Sequence, residues 1–501
     1  MNPLDMMVTD LNAEYMGLSR LSLMENAGSC LARHISSIAG TINPSPKRVI
    51  IFTGSGGNGG DGLVAGRHLL NYGYEVEIFL LNHSSNFRSS QSQSNYIILE
   101  NMSVYAPGLK INYINDSKEL DEFIIKDIDN SVVVDSILGT GIEGKLREPS
   151  RSAIKLINRM PGIKIAVDIP SGLNPLNGKI EDLAVKANYT ITFHKVKTGL
   201  DLNSEYTGKI RICDIGIPEQ AELFLGKGDL LRIKKRNPDA HKGANGRIMV
   251  LGGSKDYTGA PALAGLSALN TGADLVYVLC PESAALPLKS YSPDLIVRGL
   301  EGEVIHEGMV DDILEMTHKV DCVLIGCGAS QDKQTGKTFN YVLEKIDKPL
   351  VLDADALKLV KKDIVKNYED LIVTPHSSEF NAFFREEVDF NSTLEEKIKA
   401  LKNITPTIKG TVLLKGKVDV IMQQDHFRLN KTGSPGMTVG GTGDCLAGVV
   451  ANLRAQGISI FDAGCLGAFI NGRAGEIAEK KYGPNFTAAM MIPLLAEAMQ
   501  Y

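Results

Sequence analysis

Tryptophan is absent from this chain of 501 residues, and no two cysteines stand in a CxxC pair. The 7 cysteines, Cys30, Cys213, Cys280, Cys322, Cys327, Cys445 and Cys465, are odd in number and scattered, with no histidine cluster at zinc-ligand spacing. Structural zinc and a disulfide framework are therefore not expected. Dense positive charge is missing too. The net charge is −6, and the only basic run is Arg232-Ile-Lys-Lys-Arg236, read as a solvated linker, so a nucleic-acid partner is excluded. No apolar stretch approaches the roughly 18 to 20 residues of a membrane span, and Met1-Asn-Pro-Leu-Asp5 lacks the charged and apolar regions of a signal peptide. A cytoplasmic protein with no membrane partner is the expectation.

What is present is ordinary globular material, 43% apolar and 22% charged, enriched in glycine at 50 residues. The length implies two to four domains. From Arg48 onward, β-rich runs at Arg48–Thr53, Glu75–Leu81, Lys110–Ile114, Val132–Asp135 and Lys164–Asp168 alternate with helical patterns near Gly62–Leu70, Leu120–Lys126 and Arg151–Arg159. The alternation restarts at Arg247–Leu251 and continues through Leu275–Leu279, Cys322–Ile325, Leu350–Leu352, Leu371–Val373 and Val412–Leu414. Such alternation predicts parallel sheets covered on both faces, hence an α/β protein. The charged stretch Pro218 to Ala240 places a domain boundary near 225 to 235, with domains over 1–225 and 230–501.

The most informative segment is Gly433-Ser-Pro-Gly-Met-Thr-Val-Gly-Gly-Thr-Gly-Asp444, followed by the apolar run Cys445–Ala451. Its glycines let the backbone approach phosphate oxygens, and a following helix aims free N–H groups and its positive end at them. A carboxylate there repels phosphate unless it has a task, and accepting a proton from an attacking hydroxyl is one. The alternative is an N-capping Asp in a Gly-rich turn. Cys445 reads as a small buried residue in the helix's first turn rather than a nucleophile.

In the first half, Thr53-Gly-Ser-Gly-Gly-Asn-Gly-Gly-Asp-Gly62 follows a strand and leads into a helix, the place of a dinucleotide fingerprint, which it fits only by spacing. Two further strand ends begin with Asp and turn through Gly or Pro: Asp135-Ser-Ile-Leu-Gly-Thr-Gly141 and Asp168-Ile-Pro-Ser-Gly-Leu-Asn174. Alone, either Asp fits a cap or turn. Three loops of one sheet edge converge on one crevice, where Asn58, Asp135 and Ser171 offer hard oxygen ligands for a cation.

These motifs, with Leu23-Met-Glu-Asn-Ala-Gly28 and Lys197-Thr-Gly-Leu200, resemble the NAD(P)H-hydrate epimerase domain over roughly residues 1 to 225. The resemblance implies a Rossmann-like three-layer sandwich. It implies that Gly57, Asn58, Gly59, Gly60, Asp61, Gly139, Thr140, Gly141, Ile142, Glu143, Gly144, Lys145 and Asp168 hold the hydrated nicotinamide nucleotide, and that K+ sits at Asn58, Asp135 and Ser171. Asp168 is the favoured acid–base residue for inversion at C6. Gly57-Asn58 stands where the family usually has two successive asparagines.

The second half carries His241–Ser254, Gly259-Ala-Pro-Ala-Leu-Ala-Gly265, Ile325-Gly-Cys-Gly328, Leu352-Asp-Ala-Asp-Ala-Leu357, Val373-Thr-Pro-His-Ser-Ser-Glu-Phe380 and Leu414-Lys-Gly-Lys-Val-Asp419. With the Gly433–Asp444 loop, these resemble the ADP- or ATP-dependent NAD(P)H-hydrate dehydratase domain over about residues 230 to 501, which implies a ribokinase-like three-layer sandwich. By that resemblance Ala260, Gly328, His376 and Asp444 contact the hydrate. Lys415, Gly416, Lys417, Val418 and Asp419, with Ser434, Pro435, Gly436, Met437, Thr438, Val439, Gly440, Gly441, Thr442 and Gly443, hold ADP with Mg2+. Ser330 and Ser378 replace glycines of the family pattern.

The implied chemistry is repair of hydrated NADH and NADPH, with Asp444 as the base that starts phosphorylation of the C6 hydroxyl and the first domain supplying the S epimer. A homo-oligomer is expected. Two rivals stay open: a vitamin or sugar kinase, which shares the Gly-Thr-Gly-Asp turn, and a first half that binds nucleotide without catalysis.

Overall fold

The computed structural model describes residues 1–81, 87–121, 130–141, 144–389 and 391–500. The chain divides into two compact units, Met1–Glu219 and Gln220–Tyr501.

In the first unit, seven parallel strands form one sheet: β1 (Arg48–Thr53), β2 (Glu75–Leu80), β3 (Leu109–Tyr113), β4 (Ser131–Ser136), β5 (Ile163–Val167), β6 (Tyr189–Phe193) and β7 (Lys209–Cys213). Their order is β3-β2-β1-β4-β5-β6-β7, so the order reverses between β1 and β4. Both faces are covered, which is why β1 reads as an unbroken apolar run with Val49 to Phe52 fully buried. Phe52 of β1 stacks on Phe79 of β2 at 4.8 Å between centroids. Helices α1 (Pro3–Tyr15) and α2 (Arg20–Ala39) precede the sheet, and α3 (Gly57–Asn71) follows β1. Glycine sets the α2–α3 approach, since a Cβ on Gly28 would stand 2.3 Å from Val64 Cβ.

In the second unit, nine strands form a sheet: β8 (Arg247–Leu251), β9 (Leu275–Pro281), β10 (Ile296–Leu300), β11 (Cys322–Ile325), β12 (Leu350–Leu352), β13 (Leu371–Val373), β14 (Thr411–Leu414), β15 (Asp419–Gln423) and β16 (His426–Asn430). The order is β10-β9-β8-β11-β12-β13-β14-β15-β16, parallel through β14 and antiparallel beyond it. Successive side chains alternate between two cores: Ile248 and Val250 join one, Met249 and Leu251 the other, as the pleat requires. The helices Thr442–Ala455 and Ile460–Tyr482 pack over the first of these cores.

Two expectations need correction. The basic run at 232–236 is solvent-exposed from Lys234 onward, but the stretch around it is not a free linker. Leu225 N bonds Leu429 O at 2.8 Å, Arg428 reaches buried Asp229 at 3.1 Å, and Arg232 and Arg236 pair with Asp462 at 3.5 Å and Asp274 at 3.1 Å, so both arginines of the run are tied to the second unit. Cys30 and Cys213, 183 positions apart, form a disulfide where α2 crosses the end of β7; sequence spacing carries no trace of a link made by packing. No helix among the described residues is long and apolar enough to cross a membrane.

Candidate functional site

The reversal of strand order in the first unit opens a cavity of about 800 Å³ at the carboxyl ends of β1 and β4. Gly57, Asn58, Asp61, Gly139, Thr140, Gly141 and Asp168 all line it. The other predicted residues lie elsewhere. A Cβ on Gly59 would stand 1.9 Å from Gly54 O and one on Gly60 2.4 Å from Ser92 Oγ, so close packing of α3 requires glycine at both positions. Gly57 and Gly141, by contrast, have nothing within 4 Å of that position, leaving their backbone open to the cavity. Gly144 lines a separate recess with Asn174, Lys179 and Asp182, and Lys145 stands near Asp182. Ile142 and Glu143 lie outside the described residues.

Asn58, Asp135 and Ser171 are brought together behind this cavity. Ser171 Oγ donates to Asp135 Oδ1 at 2.6 Å and Ser171 N to Asp135 Oδ2 at 2.7 Å, while Asn58 Nδ2 donates to Leu138 O at 3.0 Å. Asn58 Oδ1 is buried with no partner. Burial pushes the Asp135 carboxyl up to about 6, against the hydrogen bonds from Ser171 and Ile137.

Asp168 stands just past β5 with φ of 61°, the left-handed region that a branched carboxylate rarely occupies. Three donors fall on its Oδ1: Thr192 Oγ1 at 3.1 Å, Phe193 N at 3.1 Å, and Lys197 Nζ. Lys197 is buried and also donates to Thr192 Oγ1 and Phe193 O, so its ammonium is fully engaged. Lys197 sits in the quoted Lys-Thr-Gly-Leu stretch but carried no assigned role. Asp10 of α1 was missed altogether, although it lines the same cavity. Burial and the Asp168 charge push it up to about 7, against Lys197 and Arg20. Asp61 is raised as well, by burial and then by Asp168 and Asp10.

In the second unit the order reverses between β8 and β11, and the loops leaving β11, β12, β13 and β14 share one edge. Backbone bonds tie them in sequence: Asp353 N to Ile325 O at 3.1 Å, Thr374 N to Leu352 O at 3.1 Å, and Lys415 N to Pro375 O at 2.8 Å. Gly328, with φ of 64°, approaches Ala260 so closely that a Cβ would lie 3.1 Å from the Ala260 Cβ. Ser330 also has positive φ, at 64°, where the family pattern has glycine, and its buried Oγ has no partner. His376 caps the helix Ser377–Phe384: its backbone N donates to Glu379 Oε2 at 2.9 Å, and its Nδ1 accepts from Ser378 N at 3.2 Å.

Asp444 lies in the first turn of Thr442–Ala455, whose N-cap, Gly441, has φ of 97°. Burial and the neighbouring Asp353 charge push its carboxyl up to about 7, opposed by a hydrogen bond from the Cys327 thiol and by the Lys415 ammonium. Lys415 Nζ bonds Asp353 Oδ1 at 2.8 Å and lies 3.5 Å from where a Cβ on Gly443 would be, beside the helix N-terminus. Buried Asp353, in the Asp-Ala-Asp motif, is therefore a residue sequence reading left without a role; its signal was position at the end of β12. Gly416, Lys417, Val418 and Asp419 form the turn into β15, with Asp419 accepting from Gly416 N and Asn430 Nδ2, both at 2.9 Å. Within 434–443, Thr442 Oγ1 closes the turn onto Met437 O at 2.9 Å, and a Cβ on Gly436 would meet Phe486 at 2.4 Å, whereas Gly440 faces open space. Cys445 is buried and its thiol pushed up to about 12, which leaves it no nucleophile's role.

Fold and sites together define a two-domain α/β enzyme with a cavity at the strand-order reversal of the first sheet and a cluster of polar loops along the matching edge of the second. Residues 248–498 match the family described as NAD(P)H-hydrate dehydratase, and residues 20–199 match the YjeF-related protein N-terminus. The bifunctional NAD(P)H-hydrate repair enzyme Nnr of Methanothermobacter thermautotrophicus is 51% identical over 503 residues, covering 100% of this chain and 95% of that one. Its counterpart in Archaeoglobus fulgidus is 39% identical, covering 99% and 97%. The solved ADP/ATP-dependent NAD(P)H-hydrate dehydratase from Bacillus subtilis aligns at 22% identity and TM-score 0.47, over 56% of this chain and 99% of that one. The chain belongs to the bifunctional NAD(P)H-hydrate repair family, as an enzyme with an epimerase half and a dehydratase half.

Proposed function

We propose that the second unit dehydrates the S epimer of hydrated NADH or NADPH at the expense of ADP, and that the first unit interconverts the R and S epimers. The observation that carries this reading is a carboxyl, Asp444, held beside a helix N-terminus with its proton affinity raised to about 7. A hydroxyl on C6 of the reduced ring is a poor leaving group. Asp444 takes the hydroxyl proton as the oxygen attacks the terminal phosphorus of ADP, releasing AMP. The Gly441 and Gly443 N–H groups and the helix dipole hold the transferring phosphoryl group. The ring nitrogen's lone pair then expels phosphate, and loss of a C5 proton restores the reduced nicotinamide.

Asp353 and Asp444 bring carboxylate oxygens within 4.8 Å of each other and of the Cys327 sulfur. Asp353 offers a carboxylate to Mg2+ shared with nucleotide phosphates and water, which leaves Asp444 as the base, and the ion would neutralise charge on the transferring group. In the first unit, the orphaned Asn58 Oδ1 beside Asp135 and Ser171 fits a cation with oxygen ligands, and K+ would organise the loops around the hydrate. Epimerisation is accordingly expected to rise when K+ replaces choline at constant ionic strength. K+ should also raise the thermal midpoint of the wild type and leave Asn58→Ala unmoved.

The deciding measurement is recovery of reduced-nicotinamide absorbance from a mixture of both epimers. Complete recovery with stoichiometric free phosphate and AMP is expected from the full chain with ADP. A stable phosphorylated product would make it a kinase, and recovery stalling at the S fraction would remove the epimerase role. The pH dependence gives a second check. Because Asp444 acts as a base and ionises only as pH rises through about 7, kcat/KM for dehydration should climb across that range rather than near pH 4.

A further inference from the structure

Helix α1 turns one face, Met6, Met7, Asp10 and Leu11, into the 800 Å³ cavity, and Asp10 is the one charged side chain of the four. The helix is tied to the far wall by Thr198 N bonding Met1 O at 3.1 Å, next to Lys197. Asp10 makes no hydrogen bond or ion pair of its own among the described residues. Asp168, arriving from the sheet edge, holds three donors on Oδ1. The cavity thus contains two carboxyls of opposite character: Asp168, held by three donors including the Lys197 ammonium, and Asp10, whose side chain has no hydrogen-bond partner among the described residues.

Resting on the epimerase reading above, we propose that Asp10 is a second catalytic acid–base residue of that half, acting with Asp168. The Asp10 carboxylic acid gives its proton to the C6 oxygen of the hydrate. The C6–O bond breaks, the oxygen leaves as water, and the ring nitrogen's lone pair forms an N1=C6 double bond. Water then adds to the other face of the planar C6 as the N1=C6 π pair returns to nitrogen, and the Asp168 carboxylate, through Oδ2, takes the proton this water sheds. One C–O bond is broken and one formed, no electrons are gained or lost, and after product leaves Asp168 sheds its proton to solvent and Asp10 takes one up, which restores the starting protonation for the next turnover. The charged groups facing Asp10 are Lys197 and Arg20, which favour its anion, and Asp168 and Asp61, which with burial oppose it, leaving it poised at about 7.

The test follows R-to-S inversion in the full chain by chromatographic separation of the epimers, without ADP. Asp10→Asn should slow inversion at least about 100-fold, and Asp10→Glu should restore part of it. The wild-type kcat/KM should fall as pH rises through about 7, as Asp10 loses its proton, and Asp10→Asn should lose that limb. In 18O-labelled water, each inversion by the wild type should exchange the C6 oxygen. Inversion by Asp10→Asn within threefold of wild type, an unchanged pH limb, or retention of the original oxygen would overturn the proposal. A wild-type chain that fails to invert either epimer would instead overturn the epimerase reading on which it rests.

Discussion

Asp444→Asn is expected to abolish dehydration of the S hydrate, by at least about 10³-fold in kcat, while R-to-S inversion continues at the wild-type rate. The amide keeps the side chain's shape but accepts no proton, so the attacking hydroxyl has nowhere to lose one. Lys415 and the helix N-terminus still attract the nucleotide phosphates, so ADP binding should survive the substitution. Turnover near wild type would remove Asp444 from the chemistry and return the Gly-rich turn to a capping role.

Loss of activity through misfolding is separable, because the linkage runs in the opposite direction. The Asp444 carboxyl binds its proton more tightly in the folded chain, at about 7, than in the unfolded one, near the ordinary 3.8. The unfolded state therefore sheds that proton first, and the fold is progressively weakened on this account as pH rises from about 4 to about 7. A neutral amide escapes the penalty. Asp444→Asn should melt no lower than the wild type at pH 8, the expected mark of a group strained for function.

The strand–helix alternation, the central strands of both sheets and the two Gly-rich loops were legible because short unbroken apolar runs and turn residues are local signals. β6, β7, β10, β15 and β16 were not, because these five-residue strands, such as Lys-Ile-Arg-Ile-Cys and His-Phe-Arg-Leu-Asn, mix polar residues into the apolar run and dilute the pattern. α1 was passed over for a related reason: its cavity face is made of Met and Leu with a single Asp, which reads as ordinary amphipathic helix. Gly59 and Gly60 look like phosphate-binding residues by spacing, and only the folded neighbours, Gly54 O and Ser92 Oγ, show that packing also demands glycine there. Lys197 and Asp353 stood in motifs already quoted, yet their roles are made by partners 29 and 62 positions away, Asp168 and Lys415. Charge pairing of that kind is a property of the closed fold and leaves no spacing to read.

That pairing makes Asp168→Asn the second large effect. Inversion should slow by about 10²- to 10⁴-fold, while dehydration of purified S hydrate is unchanged. Stability should fall too. Lys197 is 1% exposed, and an amide at 168 offers its ammonium at most a neutral oxygen, like Thr192 Oγ1 and Phe193 O, with no negative charge to balance it. Stranding a buried charge in this way costs about 3 to 5 kcal/mol. Adding Lys197→Met to Asp168→Asn removes the stranded charge, so the double variant should regain most of the lost stability and none of the lost inversion. If the double variant recovers both, Asp168 matters only as the partner of Lys197. If stability returns and inversion does not, the carboxylate itself takes part in the chemistry at C6.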